Sequence, residues 1–167
     1  FEDFAKYISN FMINGIGRVG QATNLNRSAA ALTIMRAISS QAGKDFHSLP
    51  NDAMRNMLKR HGITERDWNF LRKHCNIEFD DYLTKQGLPQ GTVEKDYGMF
   101  IPDNLLDVSD DVFAKEMIGR KHLDPKNKVM LENFKDEMYM KASILINSSA
   151  DEMTTLPTYR TQTAMSL

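Results

Sequence analysis

The sequence predicts an all-α fold, an irregular multi-helix bundle of about five to six helices with a long loop near residues 77–103. Apolar residues recur every three or four positions along most of the chain, which is the spacing of an amphipathic helix. Residues typical of helix starts and helix ends lie at the borders of those stretches. Within 77–103 the spacing is lost and the chain is interrupted by Gly87, Pro89, Gly91 and Gly98, which favours a loop.

The first two helices are predicted over residues 3–16 and from Asn24 or Asn26 to about Ala42. Either asparagine is a suitable N-cap, and Gly43 is a typical stop residue. The apolar face of the first helix consists of Phe4, Ile8, Phe11, Met12 and Ile16. The apolar face of the second consists of Leu32, Met35, Ile38 and Ala42.

The third and fourth helices are predicted to follow closely on each other. The third begins at Ser48-Leu49-Pro50, with proline in the first turn, where its missing N–H does no harm. Its inner face consists of Ala53, Met54, Met57 and Leu58. The fourth runs from Glu65 to about His74 and buries Trp68, Leu71 and Cys75 on one face.

The corner between these two helices carries agreeing local signals in five residues: Gly62, Ile63, Thr64, Asp67 and Trp68. Gly62 stands where a left-handed C-terminal cap residue lies. Thr64 and Asp67 have the spacing of a capping box, and Ile63 and Trp68 have that of a hydrophobic staple. We expect these five residues to be structural, with Trp68 packed in the core.

The C-terminal half contains a short helix and then the longest one. Met99-Phe100-Ile101-Pro102 is either a short extended segment or an anchored loop. The short helix begins at Ser109, which is followed by two acidic residues, and it ends at Gly119. Asp124-Pro125 opens the longest helix, which ends near Ser148–Ala150. Its apolar face consists of Val129, Met130, Phe134, Met138, Leu145 and Ile146.

Length and composition favour a single helical domain. The chain has 167 residues, a net charge of −1, eleven methionines and one cysteine. The charge disfavours a strongly basic nucleic-acid surface, and the single Cys75 excludes an internal disulfide framework. We see no signal peptide and no apolar run long enough to span a membrane. Because the chain begins at Phe1 and has a polar, Thr-rich end, we expect it to be a piece of a much longer polypeptide.

Several motifs have residue types found in catalytic or binding sites. Gly15-Ile16-Gly17-Arg18-Val19-Gly20 has the glycine spacing of a dinucleotide-binding loop, but the residues before it have helical rather than strand spacing. His47, His61, His74 and Cys75 fit no zinc template. We expect His61 and His74 to be partly charged imidazoles at helix C-termini. Cys75 is predicted to be a buried thiol and not a nucleophile.

Carboxylate pairs and basic clusters have ordinary structural explanations. Asp80-Asp81 and Asp110-Asp111 are adjacent pairs, which are usually solvated or cap a helix. The basic residues near Lys59 and Arg120 are interleaved with acids, as on a solvated face. We therefore predict no catalytic, cofactor-binding or metal-binding residue and no cofactor.

A block over residues 46–72 combines these features in a characteristic order: Ser48-Leu49-Pro50, then Leu58 to Gly62-Ile63, then Thr64 to Asp67-Trp68, then Leu71-Arg72. The block resembles a segment of large virion proteins of tailed bacteriophages. These include tail tape-measure proteins, internal virion (ejection) proteins and very long polyvalent polypeptides. A looser resemblance extends over Tyr82-Leu83, Ile101-Pro102-Asp103, Phe134–Ala150 and Thr154–Arg160, with an apparent insertion between Lys85 and Gly98.

The resemblance implies a structural segment of an internal virion protein, which stores DNA or conducts it into the host at infection. It implies a homo-oligomer that contacts other virion proteins, in the capsid interior or tail of the virion and in the host cytoplasm during assembly. It transfers no catalytic residue, so we expect no enzyme and no small-molecule substrate. Contact with phage DNA, and membrane contact only after ejection, are further expectations.

Three alternatives remain. The chain is a segment of a tail tape-measure protein, the helical part of a phage polypeptide that bears a lytic or polymerase enzyme, or a stand-alone protein-binding module. A cleft with converging polar groups of perturbed pKa favours the enzyme. An exposed patch of methionine and phenylalanine favours the binding module.

Overall fold

A computed structural model describes residues 2–13, 27–49, 52–78, 81–82, 85–87, 98–117 and 124–155. Its helices are α1 (Glu2–Ile13), α2 (Arg27–Ser40), α3 (Asp52–Arg60), α4 (Glu65–His74), a 3-10 helix (Pro102–Asp107), α5 (Asp110–Glu116) and α6 (Lys128–Thr155). Two short strands, β1 (Asn76–Ile77) and β2 (Met99–Phe100), pair with each other. The predicted all-α class is confirmed.

Helix α6 packs along α2 and forms the centre of the fold. Small buried residues in α2, Ala30 and Ala37, let the two helices approach closely, as the alanine-rich sequence of α2 suggests. Arg27 Nε lies 2.6 Å from Asp151 Oδ1, so the first residue of α2 lies beside the final turns of α6. Each of the helices α1 to α6 contributes side chains to one apolar core. Burial of these side chains stabilises the fold by roughly 25 cal/mol per Å² of apolar surface.

Helix α1 attaches to this pair, and α3 attaches to α1, each through its predicted apolar face. Phe4 and Ile8 of α1 and Met54 and Met57 of α3 are buried, and α1 packs against both α2 and α3. Helix α6 also fixes the 3-10 helix and α5. The Tyr139 hydroxyl lies 3.0 Å from Asp103 Oδ1. No helix in the described ranges is both long enough and apolar enough to cross a membrane.

The predicted loop near 77–103 is wrong at its N-terminal end, and its C-terminal end takes the extended form that was left open. Ile77 lies in β1 and pairs with Met99 of β2 in antiparallel register. Asp81, Tyr82 and Lys85 are helical. Strands of two residues are too short to show an alternating apolar pattern, so the pairing cannot be recognised from the sequence. Met99-Phe100 is thus a short strand, one of the two alternatives left open above.

The predicted boundaries of the longest helix are also wrong. Asp124 Oδ1 accepts a hydrogen bond from Lys126 N at 2.9 Å, which makes a turn and not a cap. Asn127 Oδ1 instead accepts from Met130 N at 3.1 Å, so α6 starts three residues later. At the other end α6 continues to Thr155, because Met153 is fully buried. Val129, predicted to be internal, is 69% exposed.

Several expectations lie outside the described residues. These concern the caps Asn24 and Asn26, the end of the first predicted helix at Ile16, the proline start at Pro50, and the stop at Gly119.

Candidate functional site

The corner between α3 and α4 begins with a glycine-terminated helix end. Gly62 has φ +74°, which is the left-handed conformation predicted for it. Its N–H donates to Lys59 O at 3.0 Å, and the Ile63 N–H donates to Leu58 O at 2.9 Å. These two bonds define a Schellman motif, which satisfies carbonyl groups that would otherwise lack a donor. The motif reverses the chain and brings Ile63 into the core.

Helix α4 begins with the predicted capping box. Asp67 N donates to Thr64 Oγ1 at 3.2 Å, and Thr64 N donates to Asp67 Oδ2 at 3.2 Å. Asp67 is only 2% exposed. Lys141 of α6 places its Nζ 3.9 Å from Asp67 Oδ2, which brings a compensating charge to this buried carboxylate. The cap is therefore also a contact between the corner and the central helix.

Trp68 links the corner to two other parts of the fold. Its side chain is fully buried, and its Nε1 donates to Lys44 O at 2.9 Å in the connection between α2 and α3. Its ring stacks with Phe100 of β2, with centroids 6.3 Å apart. Arg72, one turn later, donates to Ala42 O at 3.2 Å. The contacts of Trp68 with Lys44 and Phe100 hold parts of the fold together, and none of them is to a ligand.

The outer face of α4 borders an open depression in the described part of the surface. This depression of about 440 Å³ is lined by Glu65, Arg66, Asn69, Phe70 and Glu116. The first four residues project from one side of α4, because their spacing is helical. Glu116 comes from the last turn of α5. The depression is the strongest candidate for a site with chemistry.

The carboxylate of Glu116 is engaged by two bases from α4. Lys73 Nζ lies 2.8 Å from Oε1, and His74 Nε2 lies 2.8 Å from Oε2. Burial acts to raise the pKa of Glu116, but the hydrogen bonds and charges of Lys73 and His74 outweigh it, and the pKa is lowered. Glu116 is therefore a carboxylate at neutral pH, which suits an ion pair and not a general acid.

The second carboxylate of the depression is also paired. Glu65 Oε2 lies 2.9 Å from His47 Nε2, with both side chains largely exposed. Both carboxylates of the depression therefore already have basic partners, Lys73 and His74 for Glu116 and His47 for Glu65. The depression thus has the chemistry of a solvated ion-pair surface that holds α5 against α4.

Of the glycine, histidine and carboxylate motifs of the sequence, two histidines, His47 and His74, contact the carboxylates of this depression. The glycines of residues 15–20 lie outside the described part. Within that part, no group of three or more His, Cys, Asp or Glu side chains is arranged to hold a metal ion. The pKa of His61 is lowered by burial and by the charge of Arg60, with Glu152 opposing. This favours the neutral imidazole and contradicts the predicted partial charge. Asp110 lies 3.1 Å from Lys135 Nζ in an ion pair with α6.

Cys75 is the only thiol, and we expect it to be inert in the folded chain. It is fully buried, and burial, with the charge of Asp103, raises its pKa to about 12. A thiol-specific reagent at pH 8 should leave the native chain unlabelled and should react at once in strong denaturant. Because the pKa of the Cys75 thiol is raised in the folded state, its contribution to the free energy of unfolding should be fully present below its ordinary pKa of 9.0. This contribution should be lost as the pH rises towards 12. Rapid labelling of the native chain would contradict this.

Comparison of the chain with protein-family models, with curated proteins and with solved structures found no match.

Sequence reasoning missed two features that the structure brings forward. Glu116 received no role, because its partners Lys73 and His74 are more than 40 residues away in the chain. The outer face of α6 was also missed: Met140 and Ile144 are spaced four residues apart, but apolar residues occur on several sides of this helix, so spacing did not single out this pair. Both side chains are about half exposed, at 51% and 46%.

Proposed function

We propose that this chain is a helical structural segment of an internal virion (ejection) protein of a tailed bacteriophage. In this role it assembles with other virion proteins to store DNA or conduct it into the host at infection. The observation that carries the proposal is the corner at Gly62–Trp68. The corner belongs to the block over residues 46–72 that resembles those virion proteins, and its side chains join α3, α4, β2 and α6.

The use of polar groups in the described residues also supports a structural role. Asp67, Glu116 and Asp110 each pair with a base on another helix. Their pairings hold helices together, and none of them converges with the others on a common cleft. A segment built in this way suits an assembly in which helices pack against neighbouring polypeptides.

The exposed apolar side chains give this segment surfaces for such neighbours. Leu106, Val112, Val129, Met140 and Ile144 are the large apolar residues that remain exposed among the described positions. Methionine is well suited to contacts that repack between a stored and an ejected state, because its side chain is flexible and polarizable. Homo-oligomer formation and location in the capsid interior or tail belong to the proposal. Contact with phage DNA belongs to it as well.

A tail tape-measure protein is the nearest alternative, since the same resemblance covers both classes. A stand-alone protein-binding module has support from the exposed face of α6. The polar depression on α4 is the only described feature that bears on an enzyme-bearing polypeptide, and the lowered pKa of Glu116 makes this carboxylate unsuited to donating a proton.

The proposal is tested on purified particles of the phage that encodes the chain. We expect mass spectrometry to find peptides from residues 1–167 in particles freed of host protein, at a constant ratio to the major capsid protein. Particles emptied of DNA by ejection should lose these peptides if the protein leaves with the DNA, and should keep them if it is a fixed tail component. Peptides found in infected cells but absent from particles would overturn the proposal.

A further inference from the structure

The outer face of α6 combines exposed apolar side chains with charged side chains that are mostly acidic. Helix α6 is 28 residues long, or about 42 Å. At about 100° per residue, Val129, Met140 and Ile144 lie within roughly 60° of one another on the side opposite the core. Met140 and Ile144 are separated by one turn and form the centre of this surface. We call this surface the outer stripe.

The charges around the outer stripe are strongly asymmetric. All five acidic residues of α6, which are Glu132, Asp136, Glu137, Asp151 and Glu152, are exposed. Of its three lysines only Lys128, at the start of the helix, is exposed. Lys135 turns to Asp110 and Lys141 to Asp67 and Glu137. Arg27 reaches the stripe at one end, where it pairs with Asp151.

A groove adjoins the outer stripe on its N-terminal side. It has a volume of about 390 Å³ and is lined by Asn127, Val129, Met130, Asn133, Phe134 and Glu137. Met140 lies one turn beyond Glu137, so the groove and the stripe form one surface. A large apolar side chain of a neighbouring helix can enter such a groove while the flanking residues lie along the stripe.

We propose that the outer stripe is a docking site for a basic amphipathic helix. The apolar residues of the docked helix contact Met140, Ile144 and the groove. Its lysines or arginines pair with the acidic residues on either side of the stripe. A second copy of the same stripe is a poor occupant, because two acid-rich surfaces repel each other. DNA is a poor occupant for the same reason, since its phosphates are negative. The inference stands independently of the virion proposal, because it rests only on α6.

The test uses the full chain and two synthetic helical peptides. Both peptides carry leucines at three- and four-residue spacing; one has lysines beside them and the other has glutamates in the same places. We expect the lysine peptide to bind at least about 10-fold more tightly at physiological salt, because its charges complement the acids of α6. Equal binding of the two peptides would overturn the proposal.

Variants separate docking from simple charge attraction. Met140→Asp with Ile144→Asp should weaken binding of the lysine peptide by about 10-fold or more, since it removes the apolar contact. Charge attraction alone predicts the opposite, because the variant gains two negative charges. Leu106→Asp is the matched control: Leu106 is 57% exposed but lies in the 3-10 helix, and we expect a change of less than about 2-fold. Equal losses in both variants would contradict a site on α6.

A charge variant and a self-association measurement complete the test. Glu132→Gln with Asp136→Asn should weaken binding by about 3-fold and reduce its salt dependence. Circular dichroism should show unchanged helix content in every variant, because all these side chains are exposed. A dimer of the chain that Met140→Asp dissociates would show that a second copy occupies the stripe, and would overturn the proposal.

Discussion

Replacing Trp68 by alanine is expected to lower the free energy of unfolding by about 3–5 kcal/mol. The indole is fully buried, so its removal loses apolar burial and leaves a cavity among α4, β2 and the connection after α2. The variant also leaves Lys44 O without the Nε1 donor. Domains of this size are stable by only about 5–15 kcal/mol, so this single change removes a large share of the total.

The measurement is chemical denaturation followed by circular dichroism at 222 nm, because Trp68 is the only tryptophan and the variant has no indole fluorescence. Trp68→Phe keeps a ring but loses the donor, and should cost about 1–3 kcal/mol. Leu106→Ala, at an exposed site, should stay within about 0.5 kcal/mol of the wild type. A loss below about 1 kcal/mol for Trp68→Ala would contradict the central role of the corner.

Replacing Gly98 by alanine is expected to break the pairing of β1 with β2. A Cβ at this position would lie 1.8 Å from Ile77 O and 2.8 Å from Ile77 C, which are backbone atoms that cannot move aside alone. Overpacking of this kind typically costs about 1–3 kcal/mol and occasionally more. We expect the free energy of unfolding to fall by about 3 kcal/mol or more, because the two strands must separate to admit the methyl group.

Gly43→Ala is the matched control for this substitution. A Cβ at Gly43 meets nothing within 4 Å, and its backbone is outside the left-handed region, so we expect a change of no more than about 1 kcal/mol. Hydrogen exchange should report the local effect: the Ile101 N–H, which donates to Cys75 O at 2.8 Å, should lose protection in Gly98→Ala. Equal stability of the two variants would contradict the close approach at Gly98.

Prediction from sequence succeeded where the determining interactions are local. Helix α4 has the predicted bounds, because its cap, its first turn and its apolar face all lie within about ten residues. Gly62 and the Thr64–Asp67 capping box were predicted for the same reason: each bond joins residues no more than five apart in the chain. The start of α6 was wrong because Asp124 and Asn127 are both good caps, and neighbouring sequence does not distinguish them.

Features that depend on distant residues were not predictable. The pairing of β1 with β2 joins segments more than 20 residues apart, and the clash at Gly98 exists only because Ile77 lies against it. Likewise, the low pKa of Glu116 comes from bases on another helix. The outer stripe of α6 was hidden because apolar residues occur on several sides of this helix, so spacing alone did not show which side faces the core.

The sequence by itself determined the helical class, the corner at Gly62–Trp68 and the burial of the one tryptophan. Helical periodicity and capping act over one or two turns, and such short-range preferences can be read directly from neighbouring residues. Only the tertiary structure decided which partners those residues meet. It paired Asp67 with Lys141, placed Trp68 against Lys44 and Phe100, and left the acidic, partly apolar face of α6 exposed. Those outcomes depend on how the helices pack, which is set by the whole chain at once.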